Sequence, residues 1–356
     1  MKLVITGLRL IDGGPLRDTR IEFGPVDAGP SVRVIGGANG CGKTTVLETI
    51  VGLLRLIESP VTPSFVSHLA ASLQTGLPPP PPPTPDPPFE PQQSILARTV
   101  FAQLDVTIDD QAITLAYGKR PADYVLPSGA EEFHVAPGKS FLEQTYGPVT
   151  MKLIQEVHTS LSRKAELGFP PRMPSGLPSV LFFPHYRVIR PTTGDQVQRE
   201  TNVYRWVHRF ESINTFAGSL NSAFIWLEYA EPDGYAWLKE LSDGLDLDGK
   251  TFNVDRKSLQ VLVTTRGGAT HPLEYLSSGE QNILVLAIEL GRRLVPGSVV
   301  LIDEIENSLH PAFQVKLGQM LLEMQRRVPF QLIVTTHAPA LLDVFGADRT
   351  LLLTEF

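Results

Sequence analysis

Apolar and polar positions alternate over Lys2–Leu10, Thr19–Phe23 and Ser31–Ile35, three short strand patterns at the N-terminus. The third runs directly into Gly36-Gly37, and the period then changes. Val46, Leu47, Ile50, Val51, Leu53, Leu54 and Ile57 recur at helical spacing between Thr44 and Ile57. Arg98–Ile108 and Gln111–Tyr117 alternate on either side of Asp109-Asp110, which predicts an antiparallel hairpin. From about Phe141 to Tyr235 helical patches are broken by Pro170-Pro171, Pro184 and Pro191, the pattern of an inserted, mostly helical lobe. Strand character returns at Leu259–Thr265. The chain then alternates: a strand at Val299–Ile302, a helix over Pro311–Gln325, a strand at Leu332–Thr336, a short helix over Pro339–Val344 and a last strand at Thr350–Thr354. Such alternation predicts a largely parallel sheet covered on both faces.

These elements predict an α/β chain in three parts. Residues 1–140 form an N-terminal lobe with an antiparallel β-subdomain, residues 141–257 the inserted lobe, and residues 258–356 a C-terminal lobe. Between Pro78 and Pro91 ten of fourteen residues are proline, so the segment lacks the backbone donors of a core strand or helix. Residues 77–92 are expected to be an exposed, semi-rigid loop, with docking of a proline-binding partner as the alternative.

Composition narrows the function classes. Hydrophobic residues make up 42% of the 356, enough for a sizeable core, and the net charge of −7 argues against a surface that coats nucleic acid generally. Residues 152–209 depart from that balance, with nine Lys and Arg against four Asp and Glu. Arg187, Arg190, Arg199, Arg205 and Arg209, interleaved with Tyr204 and Trp206, are candidates for contacting phosphates and stacking on bases. A solvated helical face, or ion pairs to the acidic remainder, is the competing account. The single cysteine, Cys41, excludes an intrachain disulfide framework and a cysteine zinc cluster. The N-terminus alternates like a strand rather than a signal peptide, and the apolar run Ile283–Leu290 is short and carries Glu289. A soluble, cytoplasmic chain with no membrane partner is expected.

The densest chemical signal is Gly37-Ala38-Asn39-Gly40-Cys41-Gly42-Lys43-Thr44, set between a strand and a helix. Its glycines let successive N–H groups converge on phosphate oxygens, and the following helix adds its positive end. Asn39, Gly40, Cys41 and Gly42 line the loop, Lys43 is placed for the β- and γ-phosphates, Thr44 for Mg²⁺, and Thr45 for the α-phosphate. Cys41 takes a variable position, as filler or as a redox-sensitive thiol. A second site is Val299-Val300-Leu301-Ile302-Asp303-Glu304, an apolar strand ending in two carboxylates. Asp303 is placed to hold the water shell of Mg²⁺ beside Thr44, and Glu304 to act as base toward the attacking water. His337 ends the strand Leu332–Thr336 and is a candidate γ-phosphate sensor, where a lone histidine is otherwise structural.

Together with Leu276-Ser277-Ser278-Gly279-Glu280-Gln281, this order of motifs resembles the ABC-type P-loop ATPases of the soluble branch that includes SMC heads, RecF and the OLD-like ATPases. The resemblance implies an ABC-type head with a mixed sheet and, as cofactors, ATP and Mg²⁺. It also implies a head-to-tail homodimer with ATP sandwiched between subunits. Ser277 and the Gly279 N–H would contact the γ-phosphate of the opposite subunit, with Glu280 and Gln281 in support. A serine hydroxyl, a glycine N–H and the N-terminus of a helix over Glu280–Arg292 all favour an anion. Glu306-Asn307-Ser308-Leu309-His310-Pro311 falls where the family's dimer-crossing loop lies, and its Leu-His-Pro ending is similar to OLD-like defence ATPases. The family's Mg²⁺-contacting glutamine has no clear counterpart; Gln103 is a weak candidate, and Phe182–Arg187 leaves the position open. A long coiled coil, the zinc-hook cysteines and a fused Toprim nuclease are not expected, so an effector nuclease or toxin would be a separate polypeptide. The functions implied are a nucleotide-dependent dimeric switch in defence or repair, a non-hydrolysing sensor that holds a toxin inactive, or the ATPase subunit of a transporter.

Overall fold

A computed structural model describes residues 1–24, 31–58, 94–136, 147–168, 170–173, 175–191, 199, 201–213, 218–245 and 247–353. The proline-rich segment 77–92, the start of the expected lobe at Phe141 and Thr354 lie outside these residues.

The N-terminal alternation forms β1 (Leu3–Gly13) and β2 (Leu16–Glu22), followed by β3 (Val32–Gly36) and α1 (Lys43–Arg55). The hairpin predicted around Asp109-Asp110 is β4 (Phe101–Ile108) and β5 (Gln111–Gly118), with β6 (Glu131–Val135) after it. Both turn aspartates have positive φ, 46° and 66°. Two left-handed central residues match the twist of the flanking strands, and Asp tolerates them. These strands form a five-stranded sheet in the order β2-β1-β4-β5-β6, antiparallel except for the β5–β6 pair, so this sheet is the mixed one.

Next come α2 (Pro148–Ser162), β7 (Val180–Phe183), β8 (Val207–Arg209), α3 (Leu220–Ala230) and α4 (Pro232–Gly244). The antiparallel trio β9 (Thr251–Asp255), β10 (Gln260–Thr264) and β11 (Thr270–Pro272) precedes α5 (Ser278–Arg293). The chain closes with β12 (Val299–Ile302), α6 (Pro311–Arg327), β13 (Gln331–Thr336), α7 (Pro339–Phe345) and β14 (Thr350–Leu352).

The central sheet has six strands, all parallel, in the order β14-β3-β13-β12-β7-β8. Two of them, β7 and β8, come from residues 141–257, expected as a mostly helical insertion. Val180-Leu181-Phe182-Phe183 is buried at every position, so it shows none of the alternation of a one-sided strand.

Successive residues of the central strands point to opposite faces. Val299, Leu301, Val180 and Phe182 pack with α1, α2 and the five-stranded sheet. Val300, Ile302, Leu181 and Phe183 pack with α3, α4, α5, α6 and α7. The phosphate-loop helix α1 and the helix α5 that starts at the Ser277 motif therefore sit on opposite faces of one sheet. Buried Gln331, at the start of β13, exchanges two hydrogen bonds with the backbone of Ile5 (2.8 and 2.9 Å), which ties the two sheets together. Among the described residues no helix is long and apolar enough to cross a membrane.

Candidate nucleotide site

Because the central strands are parallel, their C-terminal ends gather at one edge, where loops leave the sheet and ligands bind. β3, β12, β13 and β7 all end there.

After β3 the loop turns on glycines. Gly40 and Gly42 have φ of 85° and 99°, and a side chain at Gly42 would meet Leu16 and Pro15 of the β1–β2 turn at about 2.9–3.1 Å. The Cys41 thiol is buried under Gly37, so Cys41 acts as filler within the core. Asn39 and Gly40 are exposed, and the 13-residue α1 begins at Lys43 with its first N–H groups facing the loop. Lys43 Nζ donates to the carbonyls of Gly37 and Ala38, both at 2.8 Å, which holds the amine over the loop. Thr45 stands beside the β1–β2 turn at Gly14.

After β12, Asp303 is fully buried and accepts from Thr44 Oγ1 at 2.8 Å and from Thr335 Oγ1 at 2.7 Å. The Thr44 contact joins the two motifs across 259 residues of sequence. A hydroxyl and one carboxylate, both hard oxygen donors, suit Mg²⁺, which keeps several of its waters and takes few protein ligands. Glu304 is half-buried in a left-handed conformation, φ 44°, uncommon for this residue type. Its N–H is held by Thr335 Oγ1 at 2.7 Å and its carbonyl by Arg187 at 2.9 Å. That strained backbone is fixed from both sides, as is common at functional sites.

After β13, the backbone N–H of His337 donates to Glu306 Oε1 at 2.7 Å, and its Nδ1 meets the same oxygen. The ring is half-exposed.

The expected signature residues occupy the opposite face. Ser277 caps α5, accepting from Glu280 N, while Glu280 accepts from the Ser277 N–H at 3.0 Å and hydroxyl at 2.8 Å. Glu280, expected beside the nucleotide, turns its carboxylate back into this cap and pairs with Lys250. Burial opposes its charge, but the Lys250 and Ser277 bonds outweigh that and keep the carboxyl below its ordinary range. Gln281 likewise faces inward, donating to the carbonyls of Glu274 and Leu276. Ser277 itself is exposed. Gly279 is pressed against the loop after β12, and a Cβ there would sit 2.7 Å from the Ser308 carbonyl.

Two expectations are corrected. Gln103 lies on β4 and bonds Asp105 within the five-stranded sheet, whereas His185, just past β7, places Nδ1 at 3.8 Å from Asp303 Oδ2. The two aromatics expected to stack on bases are not available for it: Tyr204 and Trp206 are completely buried and bond the carbonyls of Pro178 and Leu54. Arg209 pairs with Glu48, Arg199 with Glu166, and Arg187 is inside the core; of the five arginines named, Arg190 and Arg205 remain exposed and outside these pairs.

Residues 233–343 match the family described as "AAA domain, putative AbiEii toxin, Type IV TA system". No curated protein matches the chain. Among solved structures, the SMC head domain from Thermotoga maritima is 15% identical, covering 97% of this chain and 92% of that one with a TM-score of 0.42. An Smc head bound to the C-winged helix domain of ScpA is 12% identical, with coverages of 96% and 91% and a TM-score of 0.45. An Smc head with an extended coiled coil, bound to the C-terminal domain of ScpA derived from Pyrococcus furiosus, is 10% identical, with coverages of 96% and 92% and a TM-score of 0.42. The family match spans the Ser277-capped helix and the strands that end at Asp303 and His337. It stops short of the phosphate loop, which the fold returns to the same edge through the Thr44–Asp303 bond.

Proposed function

We propose that this chain binds ATP with Mg²⁺, closes into a homodimer around it, and reopens on hydrolysis to control a separate effector protein. The observation that carries this reading is the split of the machinery. Lys43, Thr44, Asp303, Glu304 and His337 share one edge of the sheet, while exposed Ser277 and the start of α5 belong to the face opposite α1. An exposed helix start on the face opposite its own phosphate loop is suited to an anion carried by another subunit.

In this reading the phosphate loop and Lys43 hold the β- and γ-phosphates, and Thr44 with Asp303 would hold Mg²⁺, which would supply charge neutralisation to the phosphates. Glu304 accepts the proton of the attacking water, and His337, braced by Glu306, donates toward the γ-phosphate. ATP favours the closed form only through contacts made there, Ser277 and the Gly279 N–H across the interface. The matching family's description names a putative toxin and a type IV toxin–antitoxin system, which supports an output within such a system.

The test is Glu304→Gln. With ATP and Mg²⁺ this variant accumulates as a dimer in multi-angle light scattering and turns over at least a hundredfold more slowly than the wild type. A monomer under those conditions overturns the reading. Turnover with and without DNA separates the alternatives. Tight ATP binding with negligible wild-type turnover would favour a scaffold that holds a toxin, and stimulation by DNA would favour nucleic-acid sensing.

A further inference from the structure

The side chain with the most hydrogen bonds near this site is one to which the nucleotide chemistry gives no role. Arg187 follows β7 and is 3% exposed. Its Nη1 donates to the carbonyls of Pro184 (2.6 Å) and Asp303 (2.7 Å), with a longer contact to Phe183 (3.4 Å). Its Nη2 donates to the Glu304 carbonyl (2.9 Å) and its Nε to Asn282 Oδ1 (2.6 Å). Asn282 lies in the first turns of α5, and its amide donates onward to the Asn307 carbonyl at 2.9 Å. Asn307 in turn donates to the carbonyl of His185 at 2.8 Å, closing a ring of bonds.

We propose that Arg187 is a positioning residue that links the backbone carrying Glu304 to the start of the signature helix α5. The proposal rests on the function proposed above and extends it to the communication between the two faces. A lone buried guanidinium is costly, and its charge here is answered by carbonyl dipoles rather than by a bonded carboxylate. The planar fork fixes the directions of its donors, so a shift of Asp303–Glu304 and a shift of Asn282 cannot occur independently while the fork is whole. The left-handed Glu304 has its carbonyl held by this fork, so the base is aimed through it. Closure around ATP presses on Ser277 and the start of α5, and the fork carries that displacement to the base of the same subunit. Only a clamped signature helix then yields an aimed Glu304.

The test uses the full chain with Arg187→Lys, Asn282→Ala and the double variant, each first shown to melt cooperatively. Three quantities are measured: affinity for a fluorescent ATP analogue, ATP-dependent dimerisation by light scattering, and kcat against KM. Each single change is expected to lower kcat at least tenfold and to weaken ATP-dependent dimerisation, with ATP affinity within threefold of wild type. The double variant loses no more than the worse single variant, because both break one link. Asn282→Ala leaves the arginine in place and carries the test alone if Arg187→Lys does not fold. The inference is overturned if kcat stays within twofold, if the losses add, or if they follow a matching loss of ATP affinity. A wild-type chain with neither turnover nor an ATP-dependent dimer would overturn the proposed function itself, a result seen before any variant is compared.

Discussion

Thr335 shows how much of the site rests on single hydroxyls. It is fully buried, donates to Asp303 Oδ1, and accepts from the N–H of Glu304, both at 2.7 Å. Thr335→Val keeps the shape and removes both bonds, stranding a buried carboxylate oxygen and a buried donor. The expected cost is about 1–3 kcal/mol in chemical denaturation, with kcat reduced more than ATP affinity. An unchanged denaturation midpoint would show that the hydroxyl is dispensable. The sequence marked Lys43, Thr44 and Asp303 because their roles attach to a local motif. Thr335 carries no such mark, since threonine is an ordinary strand residue. Arg187 reads in the sequence as a candidate phosphate contact in a basic stretch, not as a buried tie. Its partners Asn282, Asp303 and Glu304 are about a hundred residues away in sequence, and burial by distant segments leaves no local periodicity.

At the level of elements, the C-terminal turn of α5 meets β8 through a buried cluster. Glu289 pairs with Arg292 (3.0 Å) and Arg293 (2.7 Å), and His208 Nε2 lies 3.6 Å from Glu289. Burial, then the charge of Arg293, pushes the His208 imidazole from 6.5 down to about 4, against the pull of Glu289. Burial opposes the Glu289 charge, but the two arginines outweigh it and hold the carboxyl well below its usual range. Below pH 6.5 the unfolded chain therefore takes up a proton at His208 that the fold refuses. This stabilising term is complete above pH 6.5 and is lost as pH falls toward about 4, with Glu289 adding its own loss below 4.5. Thermal and denaturant melts of the wild type should steepen over that interval by up to about 1.4 kcal/mol per pH unit from this one group, and His208→Gln should remove that slope. Equal slopes would exclude His208 as its source. Neither partner element was equally legible. The helix over Glu280–Arg292 is named in the sequence together with the Ser277 motif, whereas β8, three residues long, carries no period to detect.

At the level of the whole molecule, the sequence predicted a parallel sheet with both faces covered, because βα alternation requires it. It did not show that β7 is the neighbour of β12, which depends on pairing between segments 119 residues apart. That neighbour relation brings His185 and Arg187 to the edge where Asp303 ends. The layering has a consequence for mixtures. If each nucleotide is enclosed by the loop of one chain and the capped helix of another, two inactive variants can rescue each other. A Lys43→Ala chain still offers an intact Ser277, and a Ser277→Arg chain still offers an intact Lys43. Mixed in equal amounts and paired at random, they should regain about a quarter of the wild-type ATPase sites, one per mixed pair, although each alone has none. Recovery that fails while the chains demonstrably exchange would mean that each chain completes its own site.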